Sequence, residues 1–143
     1  MTMDIVLVED NPADMRLVRE AMQENCIQAG LHWLTTGEEA LAFLTRQGGF
    51  ANAPTPDLVL LDLNLPGLRG LEVLQAIKGD PTLQHIPVVV LTSSSAKSDV
   101  LAAYRAHVNA YVVKPDDYEQ FLRLVGEIES FWLGSVLLPS RLV

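Results

Sequence analysis

Five side chains that could take part in phosphate or metal chemistry follow short apolar runs of the sequence. They are Glu9, Asp10, Asp62, Thr92 and Lys114. If these runs are neighbouring parallel strands, the three carboxylates crowd together at one sheet edge and need a cation. Oxygen ligands without His or Cys favour Mg²⁺. A carboxylate beside Mg²⁺, with a lysine and a hydroxyl that can meet phosphoryl oxygens, is suited to phosphoryl transfer, and the carboxylate can act as the nucleophile.

Each of these residues also has an ordinary structural interpretation when it is taken alone. An acid pair after a strand is commonly a solvated turn, and a single lysine is commonly a surface cation. Thr92, which is followed by three serines, could simply cap a helix. Tyr111 by itself is typical of a half-buried strand aromatic. What indicates a functional site is the order of acid pair, acid, hydroxyl and lysine at successive strand ends.

The apolar runs that position these residues alternate with stretches of helical period. Continuous apolar character and β-branched residues predict five buried strands, over residues 4–8, 31–34, 57–61, 86–91 and 110–113. Helices are predicted from Asn11-Pro12, from Thr36, and over residues 70–78, 97–105 and 116–130. Gly30 is expected to end the first helix and Gly48-Gly49 the second.

Strands that are joined by helical crossovers run parallel, with helices on both faces of the sheet. We therefore predict an α/β fold with a doubly wound, five-stranded parallel sheet of flavodoxin-like order 2-1-3-4-5. In such folds the functional groups lie beyond the carboxyl ends of the strands, where the five side chains above are found.

The composition excludes several other classes of protein. Ten basic against 18 acidic residues give a net charge of −8, and the basic residues are scattered rather than clustered, so no nucleic-acid surface is expected. No apolar run approaches the ~20 residues of a membrane span, and the amino-terminal segment lacks the pattern of a signal peptide. The single Cys26 fits a reducing compartment. A soluble cytoplasmic protein is predicted.

Four stretches of the chain resemble the receiver domain of two-component response regulators, and the resemblance runs from about Met3 to Ser130. They are Val8-Glu9-Asp10-Asn11, Leu60-Leu61-Asp62-Leu63-Asn64-Leu65-Pro66-Gly67, Val90-Leu91-Thr92-Ser93 and Tyr111-Val112-Val113-Lys114-Pro115. The resemblance implies a receiver domain over residues 1–130 in which Asp62 accepts a phosphoryl group from a sensor histidine kinase.

The same resemblance implies a Mg²⁺ site and a switch. The Mg²⁺ ligands would be Glu9, Asp10, Asp62 and the backbone carbonyl of Asn64. Thr92 would be the hydroxyl that moves toward the phosphoryl group, Tyr111 the aromatic that follows it, and Lys114 the cation on a phosphoryl oxygen.

Four further features complete the comparison with receiver domains. Asn64 and Ser94 resemble positions that tune the lifetime of the phosphoryl group, and the Lys114-Pro115 peptide is expected to be cis. The segment before the fifth strand lacks the glycine that is common there, so either His107 adopts an unfavourable backbone or the turn differs. Residues 48–56 form a longer loop than usual.

Residues 131–143 form an apolar carboxyl-terminal extension. It is too short for an output module and too apolar to stay free, so it packs either on the chain's own body or, as we expect, on a second subunit. The candidate interface residues are Phe131, Trp132, Leu133, Val136, Leu137 and Leu138.

The extension and the long loop resemble stand-alone response regulators that are linked to bacterial phytochromes. In that subfamily the extension is an arm that embraces a partner protomer. The resemblance implies a phytochrome-type histidine kinase as partner. It also implies a homodimer through the arm and through the face of the fourth helix, fifth strand and fifth helix.

Two other functions share parts of this pattern. Asp62-Leu63-Asn64 resembles a short acid motif of Mg²⁺-dependent phosphohydrolases, but their acid should follow the first strand. A flavodoxin-like cofactor binder shares the fold, but Glu9 and Asp10 would repel a phosphate group where its binding loop should be.

Overall fold

Five parallel strands form one sheet in the order β2-β1-β3-β4-β5, which confirms the predicted topology. The computed structural model describes residues 3–142. The strands are β1 (Met3–Val8), β2 (Ala29–Leu34), β3 (Leu58–Leu61), β4 (Val88–Thr92) and β5 (Ala110–Val113). The helices are α1 (Pro12–Glu24), α2 (Gly37–Leu44), α3 (Gly70–Gly79), α4 (Lys97–Arg105) and α5 (Tyr118–Ser130).

The two faces of the sheet each carry a hydrophobic core. On one face Val6 and Val8 pack with residues of α2 and α3. On the other face Ile5 and Leu7 pack with residues of α1 and α5. Because successive strand residues point to opposite faces and both faces are covered, the central strands are apolar over residues 5–8, 58–61 and 88–91. This burial fixes the register and so aligns the carboxyl ends of β1, β3 and β4.

Three helices begin at side-chain caps that the sequence supplies. Asn11 accepts from the backbone N–H of Ala13 and precedes Pro12 at the first position of α1. Thr36 accepts from Glu39 N–H at the start of α2, and Asp117 accepts from Gln120 N–H at the start of α5. The helix that was predicted from residue 116 therefore begins two residues later, because Asp117 is its cap.

Several local expectations were wrong. Gly30 does not end α1, which stops at Glu24. The chain turns at Cys26, whose φ is 53°. Gly30 lies inside β2, where it pairs with Asp4 of β1. The Lys114–Pro115 peptide is trans, as are all the peptide bonds of residues 3–142. The trans form is the lower in energy for an X–Pro bond by about 0.5–1 kcal/mol.

The turn between α4 and β5 takes the first of the two predicted forms. His107 has φ 70°, a left-handed conformation in which a residue with a side chain is strained. The loop over residues 48–56 lies on the surface as predicted, and Arg46 anchors it by donating to Ala53 O and Thr55 Oγ1 at 2.9 Å each.

The carboxyl-terminal extension packs partly on the chain's own body. A π-helical turn, Phe131–Ser135, continues α5, and Trp132 and Leu133 pack against the core between the sheet and α1 and α5. Leu138 is only 2% exposed, and the Ser140 hydroxyl donates to Asp57 at the start of β3. The chain itself therefore buries Leu138 and partly covers Trp132 and Leu133, and a role for these three residues in a subunit interface stays a prediction.

Other residues of the extension stay on the surface. Phe131 is 52% exposed and Leu137 76%, while Val136 is intermediate. Whether a second subunit covers them stays a prediction. In the part of the chain described, no helix combines the length and the apolar character that a membrane span requires.

Candidate functional site

Backbone hydrogen bonds extend the strand pairing by one residue and hold the site residues in line. Asp62 N–H donates to Val8 O at 3.0 Å, and Lys114 N–H donates to Thr92 O at 2.8 Å. Glu9 N–H donates to Leu34 O at 3.0 Å. The pairing of the strands therefore determines which side chains meet at the carboxyl edge of the sheet.

The three acids of the sequence prediction come together at this edge. Carboxylate oxygens from Glu9, Asp10 and Asp62 lie within 4.8 Å of one another. Glu9 and Asp62 are buried, whereas Asp10 is exposed, so the cluster opens to solvent on one side. Three carboxyl groups that face an open side fit a divalent cation which keeps part of its water shell.

Lys114 contacts two acids of the cluster and a third acid outside it. Its ammonium Nζ is 2.5 Å from Glu9 Oε1, 2.8 Å from Asp14 Oδ2 and 2.9 Å from Asp62 Oδ2. An ammonium group carries three protons, so these three carboxylates use all of them. Lys114 and Asp62 were predicted to meet. Asp14 was not identified from the sequence.

The hydrogen bonds of the cluster keep Asp62 ionised. Burial acts to raise the pKa of Asp62, but hydrogen bonds with the Glu9 carboxyl and Asn64 N–H, together with Lys114, outweigh it and hold the pKa below its ordinary value. Burial and the hydrogen bond with Asp62 raise the pKa of Glu9 to about 8. Burial acts to lower the pKa of Lys114, but its carboxylate partners, Asp14 first, raise it. Of the two buried acids, Asp62 is therefore the one that stays ionised.

One of the predicted switch residues is connected to Asp62 through Asn64, and the other contacts the loop after β4. Thr92 is fully buried, and its Oγ1 accepts from Asn64 Nδ2 at 3.4 Å, while Asn64 N–H donates to Asp62 Oδ1 at 3.0 Å. The Tyr111 hydroxyl donates to the carbonyl of Ser94 at 2.8 Å, in the loop between β4 and α4. Asn64 thus connects the acid to the hydroxyl, and Tyr111 ties β5 to the loop that follows the hydroxyl.

Two neighbours constrain the backbone of the site. The indole Nε1 of Trp33, on β2, donates to the carbonyl of Glu9 at 2.6 Å. At Gly70, the first residue of α3, an added Cβ would lie 2.3 Å from the carbonyl oxygen of Asp62. Glycine is therefore required there for α3 to pass close behind the acid.

Asp14 shows where the sequence reasoning fell short. Strand ends were searched for chemistry, but Asp14 lies in the first turn of α1, at its third residue. The signal available was an acid one helical turn beyond the acid pair, since such a residue can reach back over the strand end. A first-turn acid is also favoured by the helix dipole, which made it appear ordinary.

Comparison with known proteins gives the family that the sequence motifs resemble, and the match covers most of the chain. The sequence model of the family "Response regulator receiver domain" matches residues 5–125. The response regulator Rcp1 of Synechocystis sp. is 49% identical over 136 residues, which cover 95% of this chain and 92% of Rcp1.

Two solved structures superpose closely on the fold. The phosphorylated cyanobacterial phytochrome response regulator RcpA has a TM-score of 0.94 at 46% identity, over 97% of this chain and 99% of RcpA. The Mn²⁺-bound form of Rcp1 has a TM-score of 0.92 at 49% identity, over 96% of this chain and 99% of Rcp1. With the strand order and the clustered acids, these matches show that this chain belongs to the response regulator receiver domain family.

Proposed function

We propose that the protein is a phosphoacceptor signalling protein that takes a phosphoryl group from a sensor histidine kinase onto Asp62. The observation that carries this proposal is the position of Asp62, which belongs to the acidic cluster and also accepts from the Lys114 ammonium at 2.9 Å. RcpA, 46% identical to this chain, has been crystallised in a phosphorylated form. The family match favours this function over a phosphohydrolase or a flavin binder.

The reaction at Asp62 is a displacement at phosphorus. A carboxylate oxygen of Asp62 attacks, the new O–P bond forms, and the bond from phosphorus to the histidine nitrogen of the kinase breaks with its electron pair on that nitrogen. Lys114, which donates to Asp62 Oδ2, is placed to donate to a phosphoryl oxygen after transfer. The product is an acyl phosphate with about one more negative charge than the carboxylate.

The residues present fit a bound Mg²⁺. Glu9, Asp10 and Asp62 supply clustered carboxylate oxygens, and we propose the carbonyl of Asn64 as a fourth ligand. When bound, the cation would neutralise the acidic cluster and stabilise charge on the phosphoryl oxygens. Rcp1 has been crystallised with Mn²⁺, an ion that takes similar oxygen ligands.

The output is a change of surface that begins at Thr92. A phosphoryl group on Asp62 would attract the Thr92 hydroxyl, which now accepts from Asn64, and the loop before α4 would follow. The hydrogen bond from the Tyr111 hydroxyl to Ser94 O would transmit that shift to the surface of α4, β5 and α5. We propose that partner proteins bind to this face.

The partners follow from the relatives. RcpA is a phytochrome response regulator, so we propose a phytochrome-type histidine kinase as phosphodonor for this chain. We propose a cytoplasmic homodimer that uses the extension over residues 131–143 and the face of α4, β5 and α5, with residues 1–130 as the receiver domain. Neither nucleic acid nor membrane is an expected partner.

The test is phosphorylation by acetyl phosphate in the presence of Mg²⁺. Mass spectrometry should show one added phosphoryl group, labile in base, on the wild-type chain and none on Asp62→Asn. Asp57→Asn, which changes a buried aspartate at the other end of β3, should still be labelled. Wild-type-level labelling of Asp62→Asn would contradict the proposal.

A further inference from the structure

Three carboxylates contact the Lys114 ammonium, and Asp14 is the one of them that lies outside the candidate metal cluster. Within residues 3–142, the acids whose oxygens gather within 4.8 Å are Glu9, Asp10 and Asp62, and Asp14 is not among them. Its Oδ2 is nevertheless 2.8 Å from Lys114 Nζ, as close as the oxygen of Asp62. Asp14 therefore contacts the lysine without contributing to the cation site.

The Asp14–Lys114 pair is well placed to be strong. The Lys114 side chain is 9% exposed and that of Asp14 22%, so water competes little for this hydrogen bond. Asp14 lies in the first turn of α1, where the helix dipole stabilises a negative charge. The pair also ties α1 to the residue that follows β5, 100 positions along the chain.

A cation bound to the cluster would draw on the electron pairs of Glu9 and Asp62, which now accept from Lys114. Those two hydrogen bonds would weaken, and Asp14 would remain as the firm anchor of a side chain with four rotatable bonds. An ammonium held at one side by Asp14 keeps its other N–H groups directed toward Asp62, where a phosphoryl oxygen would arrive.

We propose that Asp14 is a positioning residue that holds the Lys114 ammonium in place for phosphoryl transfer to Asp62. The inference rests on the proposed function of Asp62. Asp14 lies outside the acidic cluster and would act through Lys114. Pre-organisation of this kind lowers the barrier because the donor need not be ordered during the reaction.

The test compares Asp14→Asn with the wild-type chain. With acetyl phosphate and saturating Mg²⁺, we expect the phosphorylation rate of Asp62 to fall about tenfold, because an amide oxygen accepts from an ammonium more weakly than a carboxylate does. Calorimetric titration should give a Mg²⁺ dissociation constant within about threefold of wild type, since Asp14 is not a ligand. Asp116→Asn, which removes an exposed charge two residues beyond Lys114, is the matched control and should keep the wild-type rate.

A double-mutant cycle separates positioning from general disruption. In a Lys114→Met background, adding Asp14→Asn should change the slow residual rate less than twofold, because the residue through which Asp14 acts is gone. A rate for Asp14→Asn at or above wild type would overturn the inference, as would a full tenfold loss in the Lys114→Met background or a large loss of Mg²⁺ affinity. Absence of phosphate on the wild-type chain would instead remove the proposed function of Asp62.

Discussion

At the scale of single residues, Glu129 is the most unusual side chain outside the site. It is fully buried in α5, and within the described residues neither of its carboxylate oxygens has a hydrogen-bond partner. Burial raises the pKa of Glu129 to about 8 from an ordinary 4.5. The carboxyl is thus neutral in the folded chain at pH 7 and ionised in the unfolded chain.

The sign of the resulting pH dependence follows from proton binding. Between pH 4.5 and about 8 the folded state holds a proton that the unfolded state has lost, so Glu129 lowers stability as pH rises. Glu129→Gln should remove this contribution to the pH dependence of the free energy of unfolding, which is at most about 1.4 kcal/mol per pH unit. The gap in unfolding free energy between Glu129→Gln and wild type should therefore widen by a few kcal/mol from pH 5 to pH 8.

Urea denaturation at the two pH values measures this gap. Glu127→Gln, an exposed acid on the same helix, should show a gap that hardly changes with pH. If the difference in unfolding free energy between Glu129→Gln and wild type also stayed constant from pH 5 to pH 8, the Glu129 carboxyl would have a hydrogen-bond partner or water in solution.

At the scale of secondary-structure elements, the turn from α4 into β5 carries backbone strain at His107. Its φ of 70° costs a residue with a side chain about 1–2 kcal/mol, and glycine avoids that cost. Part of the gain is offset by the greater freedom of glycine in the unfolded chain. His107→Gly should therefore raise the free energy of unfolding by about 0.5–1 kcal/mol, measured by urea denaturation. His107→Ala, which keeps the strain, should not stabilise; equal gains in both variants would contradict this explanation.

Most elements could be predicted because the central strands β1, β3 and β4 are buried on both faces and the helices bury one face. That burial leaves continuous apolar runs such as residues 58–61, and helical spacing between them. Strand ends then placed Glu9, Asp62 and Lys114 at one edge. Asp14 and Glu129 could not be found this way, because a helical acid has the same sequence pattern whether it faces water, a lysine or the core.

Local turns were the other limit of the sequence analysis. Gly30 marked a break in helical period, but glycine also fits an edge strand, and the pairing of Gly30 with Asp4 decides the outcome. The sequence also did not show that Leu138 would be buried within the chain itself, because an apolar residue near a chain end has the same pattern whether its own domain or a partner covers it.

At the scale of the whole molecule, two surfaces expose apolar side chains that self-association could bury. One is on the extension, where Phe131 and Leu137 are exposed. The other is the face of α4, β5 and α5, where Leu101, Tyr104 and Val113 are exposed. Association would bury these side chains, and each fully buried Leu contributes about 1.5–3 kcal/mol.

Single substitutions can assign the dimer to one surface or to both. If both surfaces form the interface, as proposed, Leu137→Ser and Leu101→Ser should each weaken the dimer at least tenfold in sedimentation equilibrium. Loss with only one of the two variants would assign the dimer to that surface alone, and a wild-type monomer at high concentration would contradict the proposed dimer.

The contact between Trp33 and Glu9 gives the chain a built-in optical probe. The indole of Trp33 donates to the carbonyl of a residue whose carboxylate belongs to the acidic cluster. The chain has two tryptophans, so Trp132→Phe would leave Trp33 as the sole indole emitter. Its fluorescence would then report changes of charge at the acidic cluster in real time, without a label.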